Sequence, residues 1–340
     1  MEEEAMKIDN LPAVLAGRRF GAKIVAQVKR VAQHGTLNPK DVVIPGVHVD
    51  YIVVTQDPDN NHRQTSSWAY DPAYSGQMRK SIGSLERLPL SVRKVIGRRA
   101  VMELTPEAVI NLGTGIPNDV VGGITAEEGV GDLITITVES GIYSGMPAGG
   151  IDFGIAANTD ALIEHHFQFD YYNGAGVDFT FMGAGEIDGA FNVNATKFGT
   201  RAPGCGGFID ITQNAKNVIF CSTFTAGGFE ADFEGGRLNI RQEGKFPKLV
   251  KEVQQISFNG PMAAEKEQNV LFVTERAVFK LSKEGPVLIE IAPGVDLQKD
   301  VLDQMGFEPV ISPDLKTMDA ALFCDEPFGL KDQILEKVNQ

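Results

Sequence analysis

The sequence predicts an α/β fold, a mostly parallel sheet flanked by helices, and three observations point to it. Short apolar runs rich in β-branched residues recur along the chain: Leu133–Val138 (LITITV), Phe179–Met182, Gly207–Ile211, Val218–Cys221, Val270–Val273 and Val287–Ile291. Strands covered by helices on both faces read as continuous apolar runs rather than as alternating ones. Helical patterns and Gly-rich loops lie between several of these runs, the alternation expected of parallel strands joined by crossovers. The stretch 108–117 compresses the unit into ten residues: a strand (AVINL), the turn Gly113-Thr114-Gly115, and Pro117 placed to open a helix.

The first 60 residues contribute less. Residues 23–31 (KIVAQVKRV) and 51–55 (YIVVT) read as strands, with Val42-Val43-Ile44 ended by the turn Pro45-Gly46. Two or three strands do not make an independently stable sheet, so this segment reads as a remnant of a second, larger domain. Residues 61–85 form a polar linker whose Trp68, Tyr70 and Tyr74 give it something to dock with. From 86 to 340 a single domain is expected. Ser91 caps a helix that runs to about Leu104, with Val92, Val95, Ile96, Ala100 and Val101 near helical spacing and Pro106 beyond its end. Asp332–Val338 reads as a short closing helix. A length of 340 residues suits two domains.

Composition narrows the function classes. The formal net charge is −14, which repels phosphate backbones and anionic lipid heads, so neither nucleic acid nor a membrane surface is expected as a partner. No apolar run approaches the roughly 20 residues of a membrane helix. The acidic start Met1-Glu2-Glu3-Glu4 lacks the basic and apolar regions of a signal peptide. Cys205, Cys221 and Cys324 are three scattered thiols with no CxxC spacing. They form neither a disulfide framework nor a zinc site, and a reducing cytoplasm suits them. His165-His166 are adjacent on an expected helix end and do not share a face, so they read as a solvated pair and no metal is expected.

Four places can carry chemistry. In Val138-Glu139-Ser140-Gly141-Ile142-Tyr143-Ser144-Gly145-Met146-Pro147-Ala148-Gly149-Gly150, a carboxylate stands where an apolar strand ends, and glycines follow. Ligand sites in open α/β sheets lie at the carboxyl ends of strands. Residue type alone leaves Glu139 either a solvated loop residue or a reactive carboxylate. Gly113-Thr114-Gly115-Ile116-Pro117 has GxG without GxGxxG, so a dinucleotide site is poorly supported. Gly204-Cys205-Gly206-Gly207, expected before a strand, offers backbone N–H groups that could form an oxyanion hole or could belong to a plain hairpin. Phe181 to Asp188 is another strand running into glycines.

The Glu-Ser-Gly loop with Pro147-Ala148-Gly149-Gly150 resembles the active-site loop of family I CoA-transferases, in particular the single-chain acetate/propionate CoA-transferases of bacteria. The similarity extends through Lys23–Val31, Pro45–Val54, Thr65–Ser81, Arg93–Pro117 (RKVIGRRAVMELTPEAVINLGTGIP) and Val287–Pro293. The resemblance implies that Glu139 is a nucleophile that becomes a glutamyl-CoA thioester. It implies that Gly113, Thr114, Gly115, Ser140, Gly141, Gly149, Gly204, Gly206 and Gly207 line the CoA and substrate site, and that Asp178 lies near the substrate pocket. It further implies acyl-CoA and short-chain carboxylates as substrates with no cofactor, and a homo-oligomer. CoA's phosphates would then need a local basic patch that the net charge hides. Residues 1–60 would be the tail of an N-terminal CoA-transferase half, supplied by upstream sequence or by a separate subunit. The architecture also hosts sugar-phosphate isomerases and ligand-sensing domains, in which Glu139 would be a proton-transfer base, and the chain could also serve as a non-catalytic subunit.

Overall fold

The structure, a computed structural model, describes residues 5–63, 65–67, 69–81 and 87–337. Contacts divide the chain into two compact units, Met1–Ser84 with Thr137–Asp170, and Leu85–Ile136 with Tyr171–Gln340. These are not the linear blocks 1–60, 61–85 and 86–340. Local hydrogen bonds explain why Thr137–Asp170 groups with the N-terminal segment. Asp152 accepts from the Ser66 N–H at 2.8 Å, Asn158 exchanges side-chain bonds with the Lys80 N–H and carbonyl, and the Lys7 carbonyl accepts from His165 N–H.

The larger unit has the expected α/β architecture. Its sheet runs from one edge through Val310–Thr317, Gly285–Ile291, Ala277–Ser282, Asn269–Val273, Asn217–Cys221, Phe179–Gly183 and Val109–Leu112, and then reaches Thr135–Val138, the strand along which the chain passes into the smaller unit. The central pairs are parallel, with Ile110 opposite Phe179, Asn217 opposite Phe179, and Asn217 opposite Asn269. Ala277–Ser282 pairs antiparallel with both of its neighbours. The apolar runs form the core: Ile110, Leu112, Phe181, Ile219, Leu271 and Val273 pack with Val95, Ile96, Ala100 and Val101 of the helix Val92–Val101. Each fully buried Val, Leu, Ile or Phe among them stabilises the fold by roughly 1.5–3 kcal/mol. The Ser91 side chain accepts from Lys94 N–H at 3.2 Å and caps that helix as the sequence predicts.

One element differs in kind. Gly207–Ile211 reads as an apolar run of strand type, but Phe208–Asn214 is a helix. Phe208, Ile211 and Thr212 are buried, at helical spacing, while Ile209 and Asp210 face water. A period near 3.6 was present in FIDITQN and was masked by the run's brevity. The closing helix spans Leu330–Glu336.

In the smaller unit, Val138 pairs with Ile142 in a tight hairpin, and Ile142–Tyr143 pairs antiparallel with Ala161–Leu162. Val138, Ile142 and Ala156 form a small buried cluster with Phe153 and Leu162. Ala5, Ala148 and Ile155 form another, against which Tyr74 packs. Tyr74 therefore docks as expected of an aromatic in the linker, Tyr70 stays exposed, and Trp68 lies outside the described residues. Val25–Val28 and Tyr51–Val54 form a two-stranded parallel pair in this unit.

Candidate active site

The strand Thr135–Val138 ends directly in Glu139, and residues 139–141 form the turn of the hairpin to Ile142. Gly141 N–H closes the turn on the Val138 carbonyl at 3.0 Å, and its own carbonyl accepts from Ile163 N–H at 2.8 Å. Only glycine fits there. Its φ is +98°, and a Cβ would stand 2.1 Å from the Ile163 carbonyl oxygen. Ser140 is buried and its hydroxyl donates to the Gly154 carbonyl, which ties the turn to the loop behind it. The turn therefore presents Glu139 from a rigid frame. Gly149 is exposed and precedes the short turn Gly150–Asp152.

No described residue hydrogen-bonds the Glu139 carboxylate. Burial pushes its pKa above the ordinary glutamate value, and the His165 ring, when protonated, pulls it back down. His165 opens the helix His165–Gly174, and its Nδ1 lies 2.8 Å from Asp9 Oδ2. Sequence reasoning passed over this histidine as one of a solvated pair. The signal that could have found it is the strand Ala161–Leu162, which returns the chain to the Glu139 turn just before position 165.

In the larger unit the other candidate residues separate into two groups. The strand order reverses between Val109–Leu112 and Phe179–Gly183, because the chain goes from the first to Thr135–Val138 on one side and later continues through Phe179–Gly183 to Asn217–Cys221 on the other. Such a reversal opens a crevice at the carboxyl ends of the strands. Gly113 sits there, donating its N–H to the Phe181 carbonyl at 2.8 Å, and a Cβ on it would meet Met182 Sδ at 2.6 Å. Thr114 and Gly115 follow, both exposed. Gly204, Cys205 and Gly206 are exposed and Gly207 is buried. They precede the helix Phe208–Asn214, which crosses back to the start of Asn217–Cys221, so the two glycine loops share the carboxyl side of the sheet.

Asp178 does not join them. It precedes Phe179 at the opposite, amino end of the strand, about 13 Å along it from Met182 at the usual strand rise. There it accepts from Val109 N–H and from Lys216 Nζ, both at 2.8 Å. Lys216 and the Val109 N–H hold its pKa below the ordinary range even though burial opposes them. It ties two strand starts together and is not near the crevice. Lys248, which sequence reasoning did not select, does reach the carboxyl side. Its Nζ donates to Ser222 Oγ at 2.7 Å, and that hydroxyl donates to the Ala184 carbonyl at 2.8 Å. Burial lowers its pKa, making it the more readily neutralised kind of lysine. Among the described residues no cluster of three or more His, Cys, Asp or Glu could hold a metal ion, and no helix is long and apolar enough to cross a membrane.

No protein-family model matches the chain. Individual proteins do. It is 45% identical to the caffeate CoA-transferase of Acetobacterium woodii, over 99% of this chain and 64% of that protein. It is 43% identical to the acetate CoA-transferase YdiF of Escherichia coli K12, over 96% of this chain and 61% of that protein. The crystal structure of the acyl-CoA transferase YdiF of E. coli O157:H7, as a thioester complex with CoA, matches with a TM-score of 0.88 at 40% identity, over 97% of this chain and 61% of that one. The chain is thus a homologue of CoA-transferases and has their fold, and it spans under two thirds of the length of these relatives.

Proposed function

We propose that this chain carries the nucleophile of a family I CoA-transferase, with Glu139 the residue that becomes a glutamyl-CoA thioester. The observation that carries the reading is a buried carboxylate on a glycine-tight turn at a strand's end, in a chain homologous to a CoA-transferase solved as a CoA thioester. The Glu139 carboxylate attacks the thioester carbonyl of an acyl-CoA. The C–S bond breaks, CoA leaves as thiolate, and a mixed anhydride remains. The thiolate then attacks the glutamyl carbonyl, the C–O bond breaks, the first acid leaves, and the thioester stands on Glu139. A second carboxylate runs the steps in reverse. One hard exchange becomes several easier ones, and the steps use no net proton and no cofactor.

Burial of Glu139 supports this chemistry by keeping water from the anhydride, which would otherwise hydrolyse. We read the chain as the C-terminal part of a single-chain enzyme resembling the acetate/propionate CoA-transferases, acting on short-chain acids in the cytoplasm as a homo-oligomer, with an N-terminal half or a separate subunit completing the CoA site. One methylene in such a pocket is worth only about 1–3 kcal/mol, so several short acids should be accepted. The test is mass spectrometry of the Glu139 peptide from the longer protein after incubation with propionyl-CoA, with Glu139→Ala as control. A CoA adduct on that peptide alone supports the reading; folded, CoA-binding protein with no adduct overturns it.

A further inference from the structure

We propose that Lys248, held by Ser222, binds an anionic oxygen of a ligand, a carboxylate or a phosphate, at the carboxyl ends of the strands Phe179–Gly183 and Asn217–Cys221. The choice of ligands rests on the CoA-transferase reading; the site itself does not. Backbone pairing places the residue. Pro247 pairs antiparallel with Thr225, just past the end of Asn217–Cys221. The Lys248 carbonyl accepts from Ile187 N–H and the Ile187 carbonyl from Val250 N–H, both at 2.8 Å, just past the end of Phe179–Gly183. Leu249, between the two, is buried. Lys248 is thus pinned across the ends of two adjacent parallel strands. The crevice of the strand reversal adjoins these ends, since a Cβ on Gly183 would stand 3.3 Å from the Thr114 carbonyl oxygen. Ligand sites in open α/β sheets lie on this side.

Two hydrogen bonds then fix the side chain. Lys248 Nζ donates to Ser222 Oγ at 2.7 Å, and the buried Ser222 hydroxyl donates to the Ala184 carbonyl at 2.8 Å. That hydroxyl has spent its one hydrogen on Ala184, so it can only accept from the lysine. An ammonium carries three donors, and Ser222 takes one. Among the described residues this neutral hydroxyl is its hydrogen-bond partner, and no carboxylate pairs with it. Two charged groups face it. Glu275, past the end of Asn269–Val273, attracts it, but the Glu275 oxygens are taken by Arg276 Nε at 2.7 Å and by Phe224 N–H at 2.9 Å. Arg93 of the helix Val92–Val101 repels it and is itself paired with Asp119 at 2.9 Å. Other buried cations of this unit are provided for. Lys94 meets Glu127 and Arg99 meets Glu290, both at 2.7 Å, Arg276 meets Glu275 and Glu243, and Arg98 and Lys337 meet several carbonyls. Lys248, partly buried, has only the hydroxyl. A desolvated cation without a counterion is costly, and an arriving anion relieves that cost. Lysine suits either anion, because its ammonium acts as a point charge.

The test uses the longer protein. Lysines are acetylated with acetic anhydride, and modification of the Lys248 peptide is read by mass spectrometry relative to the exposed Lys299. The reaction is run without ligand, with propionate, which offers only a carboxylate, and with CoA, which offers only phosphates. One of the two should protect Lys248 several-fold, and which one does so identifies the source of the anion. Lys248→Met should then weaken binding of that ligand by about 10- to 100-fold in calorimetry, with the other ligand unaffected. Lys248→Arg should recover part of the loss, and Ser222→Ala, which removes only the hydroxyl that aims the ammonium, should lose less. The thermal midpoint of Lys248→Met should not fall, since an unpaired cation has been removed. Protection by neither ligand overturns the proposal, as does a Lys248→Met protein that binds both ligands like wild type and melts earlier. If that variant does not fold, protection in the wild type still decides. The absence of a CoA adduct on Glu139 would sink the covalent reading, while protection and binding would still decide the role of Lys248.

Discussion

At the scale of single residues, the role proposed for Glu139 and the stability of the fold pull on it in opposite directions. Its carboxyl is held above the ordinary value by burial, so the folded state binds this proton more readily than the unfolded state. The stability it contributes is complete below the unfolded value of about 4.3 and is lost as pH rises through the raised folded value. Glu139→Gln removes that penalty. Its thermal midpoint is expected to exceed wild type at about pH 7.5 by a few degrees, with the gain vanishing near about pH 4. Equal midpoints at both pH values would mean that the carboxylate is solvated. Gly141 makes the complementary prediction. Gly141→Ala must accommodate a φ of +98° and a 2.1 Å approach to the Ile163 carbonyl, so it is expected to lose about 2 kcal/mol or more in denaturant unfolding and to disturb the Glu139 turn.

At the scale of elements, two buried charges hold the C-terminal segment within the larger unit. Arg98, fully buried on the helix Val92–Val101, donates to the carbonyls of Ala321, Leu322, Cys324, Asp325 and Glu326. Glu128 accepts from the N–H groups of Phe328, Gly329 and Leu330, placing its carboxylate at the start of the helix Leu330–Glu336, where negative charge is favoured. Arg98→Leu leaves several buried carbonyls without a donor, and a loss of about 2–4 kcal/mol is expected in denaturant unfolding. Glu128→Ala should cost about 1 kcal/mol and should show first as faster hydrogen exchange over 328–332. Exchange unchanged there would mean that the helix start is satisfied by other groups.

At the scale of the whole molecule, the parallel pair Val25–Val28 and Tyr51–Val54 stands out. Tyr51, Ile52, Val53 and Val54 are 56%, 57%, 52% and 49% exposed, yet parallel strands are found almost always with both faces covered. Phe20, Val31 and Val47 add to the uncovered apolar surface. The 340-residue chain alone is therefore expected to bind a hydrophobic dye and to associate in light scattering, and a protein restoring the length of its relatives to do neither. A monodisperse, dye-silent 340-residue chain would show that this surface needs no cover.

The sequence by itself determined the parts whose cause is local. Ser91 capped its helix, the β-branched runs became strands, and the Glu-Ser-Gly turn followed its strand, because propensity, capping and turn chemistry act within a few residues. It did not determine Phe208–Asn214, where an apolar run too short to show its period became a helix once two of its residues found the core. It could not place Asp178, since which end of a strand faces the crevice depends on where the strand order reverses. It could not join Asp9 to His165 across 156 residues of chain, because that meeting is made by tertiary packing. The Glu-Ser-Gly loop, and with it the candidate nucleophile Glu139, was legible as a motif. The environment of Glu139 was decided only by the tertiary structure, since burial and distance are properties of packed neighbours and not of position along the chain.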